Sequence, residues 1–113
     1  MDIDLVEFYL SRAELLYARN EVQAAIKAAN TALGIRSVSQ ERKVALKLFV
    51  ARALSALGHF EESNVVYREL IDEDTYLPPV ILGILHNNLQ LSKDEKSEKN
   101  INLMHAYLGF VRT

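Results

Sequence analysis

At 113 residues, half of them apolar and a quarter charged, the chain has the size and composition of one globular domain rather than of a disordered segment. It contains no cysteine, which excludes a disulfide framework, thiolate catalysis and any zinc site that needs sulfur, and is compatible with a reducing cytoplasmic or nuclear location. A net charge of -2 removes the simplest electrostatic reason to expect nucleic acid or an anionic membrane surface, so protein partners become the expectation.

The opening stretch MDIDLVEFYL carries acids where a secretory signal carries lysine or arginine, and no uncharged apolar run approaches the ~20 residues that span a bilayer. No targeting or anchoring segment is expected. Asp4 followed by Glu7 forms a capping box, and residues 5–19 then run without glycine or proline as a first helix. Asn20 followed by Gln23 repeats the capping pattern, an alanine-rich run extends to Leu33, and Gly34 sits where a left-handed helix terminator belongs. Two helices joined by so little chain are antiparallel neighbours.

Ser37 and Ser39 offer caps for a third helix over residues 40–57, which Gly58 ends. A fourth helix spans 60–72, with Phe60, Ser63, Tyr67 and Leu70 at helical spacing. The stretch VALKLFVARALSAL, residues 44–57, is apolar on nearly every side, which places the third helix at the centre of the domain with neighbours all round. Pro78 and Pro79 fit the entry to a fifth helix that reaches about residue 91. The wholly polar SKDEKSEKN, residues 92–100, reads as a loop giving way near Ser97 to a sixth helix, along which Ile101, Met104, Leu108 and Val111 form an apolar stripe with Tyr107 beside it.

A shift of about 38 residues overlays the two early helix pairs, with Ala13 on Ala51, Leu16 on Leu54, Asn20 on Gly58, Val22 on Phe60, Ala25 on Ser63, Ala29 on Tyr67 and Ala32 on Leu70. Small residues at positions 13, 25, 51 and 63 let the two helices of a pair approach closely.

This pattern resembles the tetratricopeptide repeat (TPR), a helix-turn-helix unit with a small residue midway along its first helix, a glycine and an aromatic at the turn, and later small and aromatic positions. Pair two matches through Ala51, Leu54, Gly58, Phe60, Ser63 and Tyr67. Pair one keeps Tyr9, Ala13, Leu16, Ala25 and Ala32 but has Asn20 for the turn glycine and Ala29 for the late aromatic. Neither pair has the closing proline, and the offset exceeds the family's period by a few residues, an insertion that the loop over 34–39 must absorb. In the third pair HNNL, residues 86–89, resembles a common wording of the family's first helix, yet no glycine-aromatic turn follows. The resemblance implies an all-α fold of about six helices, antiparallel hairpins stacked as a short TPR-like solenoid. The single domain is then residues 1–113, with pair one at 4–34, pair two at 39–73 and a divergent third pair at 78–112.

The resemblance also implies binding through a concave face lined by the first helix of each pair. That face takes Glu7, Leu10, Glu14 and Tyr17 from pair one and Leu48, Arg52 and Ser55, beside Ala45, from pair two. Leu10, Tyr17 and Leu48 have the alternative of closing the core. Arg52, on an almost wholly apolar helix, must reach water, a partner's carboxylate or an internal partner, for which Glu14 is the candidate. Some family members clamp the terminal carboxylate of chaperone tails with a lysine and an asparagine on the first helix; this chain has Leu10 and Glu14 there, so that clamp is not expected.

His59, His86 and His105 are widely separated, and no metal site is expected. No glycine-rich phosphate loop, nucleophile elbow or calcium pattern occurs, so no catalytic residue and no cofactor is expected, and the chain reads as a non-enzyme. Arg42, Lys43 and Lys47 read as a solvated face, which would have to join Arg36 in a stripe to serve nucleic acid. Two functional readings follow. The first is a protein-protein interaction module, an adaptor or scaffold subunit binding a peptide or protein surface. The second is a homodimerisation domain using Met104, Tyr107, Leu108 and Val111, as in the self-associating TPR-like amino-terminal domains of large assemblies such as the anaphase-promoting ubiquitin ligase.

Overall fold

In the computed structural model, which describes residues 4–72, 78–92, 101, 102, 104 and 105, every regular element is α-helical. Five helices have defined bounds: α1 Leu5–Ala18, α2 Val22–Leu33, α3 Gln40–Ala56, α4 Phe60–Asp72 and α5 Pro78–Ser92. The expected sixth helix and its polar approach fall mostly outside the described residues; those described there, 101, 102, 104 and 105, are helical.

Each helix begins and ends for a local reason. Asp4 caps α1 by accepting the Glu7 N–H at 3.2 Å, while its other carboxylate oxygen takes the Arg42 guanidinium at 2.6 Å. The Glu7 carboxylate lies 3.4 Å from the same guanidinium, so the expected capping box works as a cap plus a clamp between the starts of α1 and α3. The bonds from Arg42 and from the Glu7 N–H hold the Asp4 carboxyl below its ordinary pKa. Of the two serines offered as caps for α3, Ser39 serves, accepting the Arg42 N–H at 3.2 Å.

Two expectations about helix ends are corrected. Asn20 does not cap α2; Glu21 holds that position without a side-chain bond, and Asn20 instead adopts the left-handed conformation at φ 64°. Gly34 does end α2, but with right-handed dihedrals of -81° and -5°, so its freedom to turn left is unused.

The Asn20 geometry makes sense beside Gly58, its counterpart 38 residues on, at φ 83°. The N–H groups of Asn20 and Glu21 donate to Tyr17 and Leu16 carbonyls at 2.9 and 2.8 Å; those of Gly58 and His59 donate to Ser55 and Leu54 at 2.9 and 2.9 Å. Both are Schellman turns, in which a left-handed residue satisfies the orphan carbonyls of a helix end, and asparagine is the side-chain-bearing residue that enters this region most readily.

Packing follows the overlay. Ala13, Ala25, Ala51 and Ser63 have no exposed surface. In pair two the Ser63 hydroxyl donates to the Ala51 carbonyl across the hairpin at 2.7 Å, so the one polar atom at this close contact is satisfied. One core, with Val6, Ala13, Ala29, Ala32, Leu46 and Val50, lies among α1, α2 and α3. A second, with Ala51, Tyr67, Leu70, Val80 and Ile84, lies among α3, α4 and α5. Leu46 and Leu70 are wholly buried, each worth roughly 1.5–3 kcal/mol of apolar transfer. Helix α3 supplies both cores and packs against α2, α4 and α5, as its all-round apolar sequence requires. The 34–39 loop anchors itself by packing Ile35 and Val38 on the first core, which is how the added residues are absorbed.

Candidate functional site

Helices α3, α4 and α5 pack against one another and leave a groove of about 340 Å³. From α3 come Arg52 and Ser55, and from α5 come Pro79, Leu82, Gly83 and His86. Tyr67 of α4, only 3% exposed, contributes its ring. That ring reaches the groove because α5 has a glycine opposite it: a Cβ on Gly83 would overlap the Tyr67 ring end. Burial pushes the Tyr67 phenol above its ordinary pKa, and the positive charge of nearby Arg52 opposes the shift.

Behind the groove, a buried polar network fixes α5 against α3 and α4. The Ser55 hydroxyl donates to Asn87 Oδ1 at 2.8 Å. Asn87 Nδ2 donates twice, to Ser63 Oγ at 2.8 Å and to Asn64 Oδ1 at 2.9 Å. Asn64 Nδ2 then donates to Asn88 Oδ1 at 3.0 Å. Asn87 has no exposed surface, and its amide oxygen and both amide hydrogens are engaged. Such a network has one good arrangement, so it sets the register of α5 and hence the groove's shape.

The seven residues expected on a concave face do not form one surface. Arg52 and Ser55 line the α3–α5 groove, and the Ser55 hydroxyl proton is committed to Asn87. Leu10 packs on the first core and Leu48 on the second, the core-closing alternative for both. Tyr17 is 40% exposed, with its ring edge-on to Phe49 at 5.7 Å, and it lines a separate cavity of about 500 Å³ against the first turn. Glu7 is held at Arg42, and Glu14 is exposed. No ion pair joins Glu14 to Arg52 among the described residues, so Arg52 stands exposed in the groove.

Of the self-association residues, Met104 is 43% exposed, while Tyr107, Leu108 and Val111 lie outside the described residues. In the basic cluster, Arg42 is engaged by Asp4 and Glu7, and Lys47 Nζ lies 3.8 Å from Glu69. His59 pairs with Glu62 at 3.8 Å, and the His86 ring sits edge-on to Phe60 at 6.2 Å. Among the described residues no three His, Cys, Asp or Glu side chains gather as metal ligands, and no helix is long and apolar enough to cross a membrane.

The overlay missed the α4 and α5 contributions to the groove. A usable signal was present: Ser63-Asn64 and Asn87-Asn88 are adjacent polar pairs in two otherwise apolar helix faces, and buried polar pairs look for each other. No protein-family model, curated protein or solved structure matches the chain.

Proposed function

We propose that this chain is a non-enzymatic, TPR-like interaction module, an adaptor or scaffold subunit that binds a peptide or protein surface in the α3–α5 groove. The observation that carries this reading is Arg52. A cation on the largely apolar 44–57 stretch of the central helix lies exposed in a groove with an apolar wall at Pro79 and Leu82, and no acid of the described chain pairs with it, whereas Lys47, the other cation of that stretch, has Glu69. The described groove lining holds no carboxylate or thiol beside His86, and the Ser55 hydroxyl proton there is committed to Asn87. The TPR-like reading is supported by the paired Schellman turns 38 residues apart and by the small residues at both hairpin contacts. Selection of a displayed random-peptide library on the immobilised full chain tests it. Enriched peptides that compete with one another for a single site are the expected result; a library that never rises above background discards the module.

A second reading, self-association, is favoured by apolar side chains left uncovered: Leu5, Phe8 and Leu15 on α1 are each more than half exposed, and Met104 is exposed as well. Sedimentation of the purified chain tests it. A dimer that becomes a monomer on combining Met104→Asp with Tyr107→Asp supports this reading, and a wild-type monomer ends it.

A further inference from the structure

We propose that the occupant of the α3–α5 groove is a peptide segment with an acidic side chain next to an apolar one, and that Arg52 anchors the acid. The inference rests on the interaction-module reading and adds the chemistry of the ligand. Charge complementarity carries it. The described groove lining holds a permanent cation, Arg52, and a histidine, His86, and it holds no carboxylate. Several basic groups elsewhere have acids, Arg42 with Asp4 and Glu7, Arg19 with Glu21, Lys47 with Glu69 and His59 with Glu62, and what sets Arg52 apart is that it lines a groove with an apolar wall.

The guanidinium offers a planar fork of N–H donors that matches a carboxylate with two parallel hydrogen bonds. His86 faces it from α5 and offers a ring N–H in either charge state, with its ring set against Phe60. Pro79 and the 42%-exposed Leu82 continue the wall in apolar form, which suits a side chain beside the acid and argues for a peptide rather than a small inorganic anion. At about 340 Å³ the groove is at the small end of ligand sites, the size for a few residues of extended chain rather than a folded lobe. The polar network through Ser55 and Asn87 keeps the two walls in place before anything binds, so the ordering cost falls mainly on the peptide.

The random-peptide selection is run in parallel on the wild-type chain and on Arg52→Glu, with Arg52→Lys and Arg52→Gln as further variants and circular dichroism to show that each is folded. The expected result is enrichment of Asp or Glu beside Leu, Ile or Phe on the wild type. Those peptides should then lose about tenfold or more in affinity on Arg52→Glu, or when their acid is changed to Gln, with Arg52→Lys intermediate, because a charge-assisted bidentate pair is lost. Groove-binding peptides without acids, or acidic peptides bound equally by Arg52→Gln, overturn this inference while leaving the module reading intact. No enrichment on any of the chains overturns both.

Discussion

Asn20 and Gly58, 38 residues apart, adopt the same left-handed backbone state and close their helices with the same two hydrogen bonds. One of the two carries a side chain, and that difference has a measurable consequence. Asn20 is exposed, and a Cβ on Gly58 would meet nothing within 4 Å, so substitutions at either site act through the backbone alone. Asn20→Ala should lower stability by about 1 kcal/mol and Gly58→Ala by roughly 1–2 kcal/mol, whereas Asn20→Gly should be neutral or slightly stabilising. Urea denaturation with unchanged slope measures all three. Equal stability of Asn20→Ala and wild type would mean that the turn is not held in the left-handed state.

Gly83 and Tyr67 make the contact that brings α5 onto the groove. Gly83→Ala forces the Tyr67 ring aside in a packed core, and a loss of about 1–3 kcal/mol is expected from such overpacking. Combining it with Tyr67→Leu, which removes the ring end, should recover part of the loss. The interaction term of the double-mutant cycle is the readout, and strict additivity contradicts the contact.

Asn87 is the hub of the buried network, so Asn87→Leu leaves the Ser55, Ser63 and Asn64 side chains without their shared partner. A loss of about 2–4 kcal/mol is expected for several unsatisfied buried groups, against about 1–2 kcal/mol for Ser55→Ala, which removes only the donor to Asn87 Oδ1 at the half-buried edge. Thermal melts of the two variants check the order, and a larger effect at Ser55 would contradict it.

The pH dependence follows from Asp4 and Tyr67. The folded pKa of Asp4 lies below its ordinary 3.8, so its contribution is complete above that value and is lost as pH falls through the lower folded pKa. Arg42→Gln should reduce this part of the acid sensitivity, leaving the share held by the Glu7 N–H. Tyr67 has the opposite sense: its folded pKa lies above the ordinary 10.0, so stability falls as pH rises from 10 through the folded value, and Tyr67→Phe should flatten that limb. Stability profiles that do not change at either end in these variants would contradict the assignments.

Much of the fold was legible in local chemistry. The caps at Asp4 and Ser39, the turn at Gly58, the span of α4 and the proline entry to α5 are all decided by a few adjacent residues, and the structure has them as expected. Asn20 misled as a cap because asparagine suits both a helix start and a left-handed turn; its alignment with Gly58 already favoured the turn. The groove was less legible. The overlay indicated faces of α1 and α3, and Arg52 was singled out because a cation in an apolar helix needs a destination. The rest of the lining comes from Tyr67 and from α5, in the pair where the repeat pattern fades, and which elements meet there depends on the Asn87 network rather than on helical periodicity.

The most direct measurement is a map of backbone amide shifts as a selected peptide is titrated into the isotopically labelled full chain. The account predicts the largest shifts at Arg52, Ser55, Tyr67, Leu82, Gly83 and His86, all absent with Arg52→Glu. Shifts centred instead on Leu5, Phe8 and Leu15 of α1, or a pattern that survives Arg52→Glu, would contradict it.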